Sequence, residues 1–488
     1  MLTLNFLSNK NKKRSGQVSL ELLVFSTITV ILIGGFALWA ASFLNLSLRD
    51  YNKTQAFSIA EAGIEYYRWH LAHAPLDYQD GTGHAGPYVH DYYDKEGNVI
   101  GSFTLDITPP PAGSTVVTIE SNGEVRADSS IKKIIRVQMA IQSLAQYATL
   151  SNTSLRLGTG TEIFGLVFSN GGIRFDGLAH NLVESAVSDY DDPDHGGHNE
   201  FGVHTHISPV DPLPPETVPV RPDVFMVGRQ FPVPAVDFQG ITQDLSTIRT
   251  HASSSGVYAT SSQVYGYDVV LLPDGTYQLY KVTSLMPPPN GCTNTSNQSG
   301  WGTWSIQSEV LYKSGTFPTN GVFFLEDNVW VRGTINRARL TIVSGVFPDS
   351  ASTRTSITIN QDLRYTNYDG SDSLALIAQN NINAGLYSND VLRIDAALMT
   401  QSGRVGRYYY SPPNLQSHSD KCGSTVIRQS ITLYGMIGSN LRYGFGYDDQ
   451  TGYQIRTIIY DANLLYVPPP EFPLSGDQYT PISWEEVQ

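Results

Sequence analysis

The hydrophobic pattern of this chain begins with one long apolar segment and continues with many short ones. Residues 22–48 contain no charged side chain, and this run exceeds the ~20 apolar residues that a helix needs to cross a bilayer. Beyond the run, small and apolar residues recur at helical spacing until Pro75, the first proline of the chain. These residues are Ala56, Ala60, Gly63, Tyr67 and Leu71. The pattern predicts a helix over residues 17–74 that crosses a membrane and then packs on protein.

Alternating apolar and polar positions replace the helical pattern after Pro75. In residues 75–144, three alternating segments predict a small antiparallel sheet, and Asn122-Gly123 predicts a hairpin turn. Residues 145–208 begin with shorter segments broken by glycine, which we interpret as the first coils of a stacked β structure. Repeated prolines mark residues 209–252 as an extended connector that ends in one helix. The helix is predicted from the spacing of Phe238, Ile241, Leu245 and Ile248.

Residues 253–467 contain a series of short strands, each followed by Asn, Asp or Gly. Examples are 329–335, 340–345, 357–360, 374–380, 394–399 and 431–438. Many intervals lie near the ~20 residues of one solenoid coil, and short strands that cannot bury a face alone must stack. We therefore predict an α+β N-terminal module followed by a mostly-β domain. That domain is expected to be a right-handed parallel β-helix, or solenoid, with a β-sandwich as the alternative. Prolines predict an extended tail over residues 468–488.

The start of the apolar run carries an unusual combination of residues. A basic leader, residues 1–16, ends in Gly16, and Glu21 lies at the very edge of the run. A secretory signal peptide places its cleavage site after the apolar core, whereas here the small residue comes before it. Cleavage after Gly16 would make Gln17 the new N-terminus and keep the helix. A carboxylate at the edge of hydrocarbon is costly and usually functional, so Glu21 is a candidate assembly residue.

Gly16, Gln17 and Glu21 together resemble the class III signal peptide of type IV pilins, in its bacterial or archaeal form. Residues 60–65, with the sequence AEAGIE, resemble the same stretch of PilX-like minor pilins. Residues 322–466 resemble an uncharacterised domain that follows pilin-type N-termini in surface proteins, which implies an extracellular β-solenoid. The family resemblance implies cleavage by a prepilin peptidase and assembly with other pilins by the pilus machinery. The alternative is an ordinary signal anchor with an incidental glutamate.

Charge and cysteine content limit the partners and the cellular compartment expected for this chain. The formal net charge is −14, which argues against nucleic acid as a partner because binding a polyanion needs a basic face. Basic residues before the apolar run keep the N-terminus in the cytoplasm, so everything after residue 48 is expected outside. In an exported chain the two cysteines, Cys292 and Cys422, predict one disulfide, with two free thiols as the alternative.

One segment is dense in side chains that bind metals. Nine ionisable residues lie between Asp189 and His206. The predicted ligands of a divalent metal are Asp191, Asp194, His195, His198, His204 and His206. His204 and His206 lie on one face of a strand because side chains alternate, and imidazoles suit a transition metal. The alternative is a solvated polar loop. No other cofactor is indicated.

No sequence fingerprint of a known catalytic site occurs, and we expect no enzymatic activity. The resemblance predicts a minor, tip-associated pilus subunit whose β domain adheres to a surface polysaccharide or a host-cell ligand. Before assembly it would be a single-pass membrane protein in contact with lipid, and after assembly it would be extracellular. A tyrosine-rich segment could stack sugars or pack between coils; it comprises Tyr408, Tyr409, Tyr410, Tyr443, Tyr447 and Tyr453. The alternative function is a carbohydrate-active β-helix enzyme anchored by a pilin-type helix.

Overall fold

The computed structural model describes residues 15–110, 114–238, 240–412, 422–465, 467–476 and 478–487; most of the predicted leader, residues 1–14, lies outside them. The chain divides into two compact units. The head unit comprises residues up to 108, residues 118–138 and residues 483–488, and the second unit comprises residues 109–117 and 139–482. A long N-terminal helix followed by a mostly-β domain is therefore confirmed.

The described residues contain two α-helices, three short 3₁₀ helices and a long series of strands. The helices are α1 Ser15–His73 and α2 Gly240–Ser255, with 3₁₀ turns at Leu144–Gln146, Ser424–Val426 and Ala462–Leu465. The first strands are β1 Tyr88–Tyr93, β2 Val99–Thr108, β3 Val117–Val125, β4 Asp128–Ala140, β5 Thr149–Ser151, β6 Leu155–Leu157, β7 Thr161–Phe164, β8 Val167–Ser169, β9 Ile173–Phe175 and β10 Leu178–Ala179. Next come β11 Val183–Ser185, β12 Asp189–Asp191, β13 Asn199–Phe201, β14 Val203–His204, β15 Arg229–Gln230, β16 Val257–Ala259, β17 Tyr267–Leu271, β18 Thr276–Leu285, β19 Ile306–Thr316 and β20 Val322–Leu325. The last are β21 Val329–Ile335, β22 Arg339–Ser344, β23 Ile357–Thr358, β24 Leu363–Tyr365, β25 Ser373–Ala378, β26 Ile382–Ala384, β27 Val391–Thr400, β28 Val405–Arg407, β29 Ile427–Ser439, β30 Gly452–Tyr460 and β31 Thr480–Val487.

Helix α1 has two different halves. In its first half the apolar side chains are exposed, from Val18 to Leu48, and the helix is long and apolar enough to cross a membrane. In its second half the predicted apolar face is confirmed: Ala56, Ala60, Gly63, Tyr67 and Leu71 are all buried. They pack against the head sheet, whose buried side chains include Phe103, Leu105 and Ile119. Small residues on the helix let sheet and helix approach closely, since a Cβ on Gly63 would lie 2.2 Å from Ser121 Oγ.

The head sheet has the strand order β1-β2-β3-β4-β31. The predicted hairpin turn at Asn122-Gly123 is wrong, because both residues lie inside β3 and pair with Thr104 and Phe103 of β2. The glycine serves packing instead. A Cβ on Gly123 would lie 2.1 Å from the Ala56 carbonyl oxygen, so only glycine fits beneath the helix.

The C-terminal residues complete the head sheet. They were expected to form an extended tail, but β31 lies beside β4 at the sheet edge. Glu485 accepts a hydrogen bond from Arg136 at 2.8 Å, Glu486 contacts Lys133, and the Trp484 ring lies 5.8 Å from the Phe57 ring. No alternation of apolar and polar residues marks this strand in the sequence, since Trp484, Glu485 and Glu486 are consecutive and all exposed. The large β unit is therefore an insertion between β4 and β31, where the sequence predicted a C-terminal domain.

The second unit, which we call the β-stack, is built mainly from parallel ladders; β18 pairs antiparallel with both β17 and β19, and β12 pairs antiparallel with β13. One ladder runs β16-β20-β22-β25-β27-β29-β5-β8-β11-β15, and every adjacent pair is parallel. A second runs β17-β21-β23-β26-β28, and a third runs β21-β24-β27-β29-β30-β7-β10. The short ladder β6-β9-β14 is also parallel. The sandwich alternative consists of antiparallel sheets, and these ladders do not have that pattern.

Identical registers line up apolar side chains from strand to strand. One row of the first ladder is fully buried, and each of its residues pairs with the next on the adjacent strand: Phe323, Ile342, Leu376, Leu398 and Ile437. Each strand is too short to bury such a row by itself, so the ladders form one continuous core.

The order of strands in the stack differs from their order in the chain. Strand β5 lies between β29 and β8, so the first strand of the unit pairs with one of its last. From β5 the chain builds towards β11 and then enters the proline-rich segment, which contains β15. It continues to α2 and β16, which lies at the opposite end of the same ladder. From β16 it builds back towards β29 and β30. The predicted helix in residues 209–252 corresponds to α2, in which Leu245 and Ile248 are buried.

A disulfide joins Cys292 to Cys422 across 130 positions of sequence. The bond lies in a cluster of buried residues with Leu386, Tyr408 and Tyr410. Most of the tyrosine-rich segment is likewise inside: Tyr408, Tyr410, Tyr443 and Tyr453 are buried. These rings pack within the unit, which leaves them no face on which to stack a sugar.

Candidate metal centre

The Asp189–His206 segment folds as a hairpin followed by a ladder strand. Strands β12 and β13 pair antiparallel, and β14 pairs in parallel with β9. Alternation along the hairpin decides which carboxylates face inwards. Asp191 is exposed, whereas Asp192 and Glu200 are buried.

Three side chains converge in this segment. The ligand atoms of Asp192, His204 and His206 all lie within 4.8 Å of one another, and His204 Nε2 is 3.7 Å from Asp192 Oδ2. Only 2% of Asp192 and none of His204 is exposed. Asp192 Oδ2, His204 Nε2 and His206 Nε2 are buried, and none has a hydrogen-bond partner among the described residues. Buried polar atoms are nearly always satisfied, so three orphans in one place require an explanation.

A second group shares His206. Glu200 Oε1 lies 2.9 Å from His195 Nδ1 and 3.4 Å from His206 Nε2. Glu200 is buried, while His195 is half exposed. These ligand atoms also lie within 4.8 Å of one another. The two groups together place three imidazoles and two carboxylates around one small volume.

Burial favours the neutral form of His204. Burial lowers the pKa of His204 below its ordinary value, although Glu200 acts in the opposite direction. His204 Nδ1 lies 3.3 Å from the Phe201 carbonyl oxygen, to which it can only donate. A neutral imidazole that donates from Nδ1 has its lone pair on Nε2, the atom that points towards Asp192.

The predicted ligands separate into two sets. The structure brings His195, His204 and His206 together. Asp191 lies on the exposed side of β12, and His198 is exposed in the hairpin turn, outside both groups. Asp194 Oδ2 binds Arg442 Nη2 at 2.5 Å and lies 3.6 Å from Arg156. Asp192 and Glu200 take the carboxylate positions instead, as the alternation of a short hairpin would have indicated.

Two cavities lie elsewhere in the β-stack. One, of about 900 Å³, is lined by the guanidinium groups of Arg156, Arg404, Arg442 and Arg456 together with Asp194. Most of these cations are engaged by protein: Arg442 binds Asp194, and Arg456 donates to the Tyr453 and Gln454 carbonyls. This polar cavity therefore offers few free donors.

The second cavity, of about 640 Å³, holds a pair of carboxyl groups that the sequence did not single out. Asp268 and Glu309 both bind Arg332 Nη2 at 2.8 Å. Burial raises the pKa of Asp268 to about 7, against the attraction of Arg332. Trp330 and Tyr387 line the same cavity. The two acids come from β17 and β19, far apart in sequence, so only the pairing of β17 with β18 and of β18 with β19 brings them together.

Comparisons with known proteins give a similarity to solved structures. No family model matches the chain, and no curated protein matches it. Among solved structures, the chain is similar to the competence-associated pilin ComZ from Thermus thermophilus. The sequence identity is 14%, the match covers 89% of this chain and 97% of that chain, and the TM-score is 0.30. Similarity at this level assigns no family.

Proposed function

We propose that this chain is a membrane-inserted, pilin-like precursor that becomes a minor, tip-associated subunit of a type IV pilus-like filament. The observation that carries the proposal is the division of helix α1. Its first half exposes an apolar surface on all sides, and its second half packs on the small head sheet. Such a surface is stable in lipid before assembly and in contact with other helices afterwards.

The position of Glu21 supports the proposal that the exposed half of helix α1 serves in assembly. Its charge lies at the start of the apolar run, where an unpaired carboxylate would be costly in a dry environment. After cleavage behind Gly16, the new amino group of a neighbouring subunit's Gln17 supplies the matching cation. This pairing would select partners with the same kind of N-terminus.

The insertion between β4 and β31 supports the minor role. The head sheet is completed by the last strand of the chain, so a large unit is carried without interrupting the helix or its contacts with the sheet. We infer that the inserted β-stack is an extracellular solenoid that binds a surface polysaccharide or a host-cell ligand. A unit of this size on every subunit would hinder helical packing, which favours a rare subunit at the filament tip.

Processing tests the proposal directly. The full-length chain would be co-expressed with a prepilin peptidase, and the membrane-bound product sequenced from its N-terminus. We expect the wild type and Gly16→Ala to begin at Gln17, and Gly16→Leu to keep the leader because the peptidase accepts only a small residue there. A wild-type product that begins at any other residue would contradict the proposal.

Immunogold labelling of filaments with an antibody to the β-stack would then locate the subunit, and label spread evenly along the shaft would exclude the tip position.

One observation favours a second function, action on carbohydrate at the Asp268–Glu309 cavity. Paired carboxyl groups beside an aromatic residue are common in glycoside-binding sites. However, one nitrogen, Arg332 Nη2, binds both carboxyl groups at 2.8 Å. Glycosidases need one carboxyl group as an acid and the other as a base or nucleophile, so two acids held by one guanidinium suit sugar binding better than hydrolysis. Release of reducing ends from a polysaccharide by wild type, abolished in Glu309→Gln, would establish the enzymatic alternative.

A further inference from the structure

We propose that Asp192, His204 and His206 bind a divalent transition-metal ion of the Zn²⁺ type. The proposal rests on the three orphaned ligand atoms and is independent of the pilus function. Asp192 Oδ2, His204 Nε2 and His206 Nε2 are buried side by side without hydrogen-bond partners. A bound cation would satisfy all three at once, whereas each would otherwise cost free energy as an unpaired polar group.

The spacing of these atoms suits a small ion. Zinc binds nitrogen and oxygen at about 2.0–2.2 Å, so two ligands of a tetrahedral site lie roughly 3.4 Å apart. His204 Nε2 and Asp192 Oδ2 are 3.7 Å apart, and all three atoms lie within 4.8 Å. Small side-chain rotations would bring them to bonding distance. Glu200 Oε1, 3.4 Å from His206 Nε2, is the carboxylate nearest to a fourth position.

Neighbouring groups hold the three ligands in place. His204 donates from Nδ1 to the Phe201 carbonyl, and the His206 amide donates to Asp176 Oδ1 at 2.8 Å. Asp192 Oδ1 accepts from the Asp194 amide at 3.0 Å, which leaves Oδ2 pointing at the histidines. Contacts of this kind fix the tautomer and orientation of ligands in established metal sites.

Charge also favours a divalent cation. Arg174 donates from Nε to Asp176 at 2.7 Å and lies 3.7 Å from Asp192 Oδ2, whereas Arg156 and Arg442 face Asp194. Among the described residues, the ion-pair contacts of buried Glu200 are His195 and His206, with no arginine or lysine. Two imidazole nitrogens exclude Ca²⁺ and Mg²⁺ as the preferred ions, because these hard cations take oxygen ligands.

The position of the site indicates what the metal would do. His204 belongs to β14, the edge strand of the short ladder, and Asp192 belongs to the β12–β13 hairpin beside it. A shared ion would cross-link this hairpin to the outermost coil. End coils of stacked repeats lack a neighbour on one side and need such reinforcement.

Metal content tests the proposal on the full-length protein in detergent. After incubation with Zn²⁺ and desalting, elemental analysis should find about one ion per chain in wild type. His204→Ala and His206→Ala should weaken Zn²⁺ binding by at least ~100-fold. His198→Ala and Asp191→Asn change residues of the same segment that lie outside the cluster, so they should bind like wild type. Absence of Zn²⁺ from wild type, or equal loss in His198→Ala, would overturn the proposal.

The Asp192→Asn variant gives a second measurement, because metal binding and a polar loop predict different changes in its melting temperature. If the ion binds, the isosteric amide loses a ligand, and the melting temperature in Zn²⁺ should fall below that of wild type. If the segment is only a polar loop, the amide replaces a buried carboxylate whose Oδ2 has no hydrogen-bond partner, and the melting temperature should be equal or higher. EDTA should lower the melting temperature of wild type but not that of Asp192→Asn. A wild-type melting temperature unchanged by EDTA and by added Zn²⁺ would refute metal binding.

Discussion

The contact between helix α1 and the head sheet can be tested with a single methyl group. A Cβ on Gly123 would lie 2.1 Å from the Ala56 carbonyl oxygen and 2.5 Å from the Ala60 amide nitrogen. Both are backbone atoms of the helix, so no side chain can rotate to make room. Gly123→Ala therefore forces the helix and the sheet apart.

The loss of stability in Gly123→Ala follows from the size of that displacement. Relief of the contact from 2.1 Å to the 3.4 Å at which ordinary van der Waals contact begins needs a separation of about 1.3 Å, and overpacking of this kind costs ~1–3 kcal/mol. Alanine also restricts the unfolded chain, which returns roughly 0.4–1 kcal/mol. We expect a net loss of about 1–2 kcal/mol in head stability, which corresponds to ~5- to 30-fold more frequent opening.

Native-state hydrogen exchange of the full-length protein, read by mass spectrometry, locates this loss. Amides of residues 56–67 should exchange ~5- to 30-fold faster in Gly123→Ala, because exchange reports local opening. Peptides from the β-stack core, such as residues 374–378, should not change. Gly158→Ala is the matched control, since its Cβ would meet no heavy atom within 4 Å. Unchanged exchange in Gly123→Ala would refute the seating of the helix on β3.

Two further predictions concern the β-stack. Cys422→Ser removes a cross-link that spans 130 positions, so the chain-entropy model predicts a loss of up to ~4–5 kcal/mol, seen as a lower melting temperature; no effect of reductant on wild type would contradict it. Because burial raises the pKa of Asp268 to about 7, the folded state favours the protonated acid. Its stabilising contribution should be complete below pH ~4 and lost as pH rises through about 7, so the urea midpoint of wild type should fall over that range. Asp268→Asn should flatten this dependence, and an unchanged slope would contradict the assignment.

Local patterns in the sequence were sufficient to predict elements but not their neighbours. Residues 329–335 were predicted as a strand and form β21, because alternation and β-branched residues are local signals. The pairing of β5 with β29 joins residues almost 300 positions apart, and no local pattern encodes it. Asn122-Gly123 shows the opposite error, in which a strong turn signal was overruled by the need for a glycine under the helix.

The sequence predicted where in the chain the candidate metal site lies, but it predicted its histidines better than its carboxylates. The spacing of His204 and His206 places both imidazoles together, and the structure brings their ring centres to 5.1 Å. One predicted carboxylate, Asp191, is one position out of phase with Asp192, and the other, Asp194, binds Arg442 instead. A one-residue shift turns a side chain to the opposite face of a strand, and β12 contains no buried apolar residue that would fix its phase.

The position of β5 has a consequence for folding during synthesis. As the chain is synthesised, β5 and β7 appear early, but their partners β29 and β30 follow only near the C-terminus. Until then, one edge of the first coils presents unpaired backbone groups, which are a template for association with other chains. The final strand of the head, β31, emerges later still. Folding of this protein therefore ends with two strand pairings at nearly the same moment, and a chain truncated anywhere before residue 427 would leave both sheet edges open to proteolysis and aggregation.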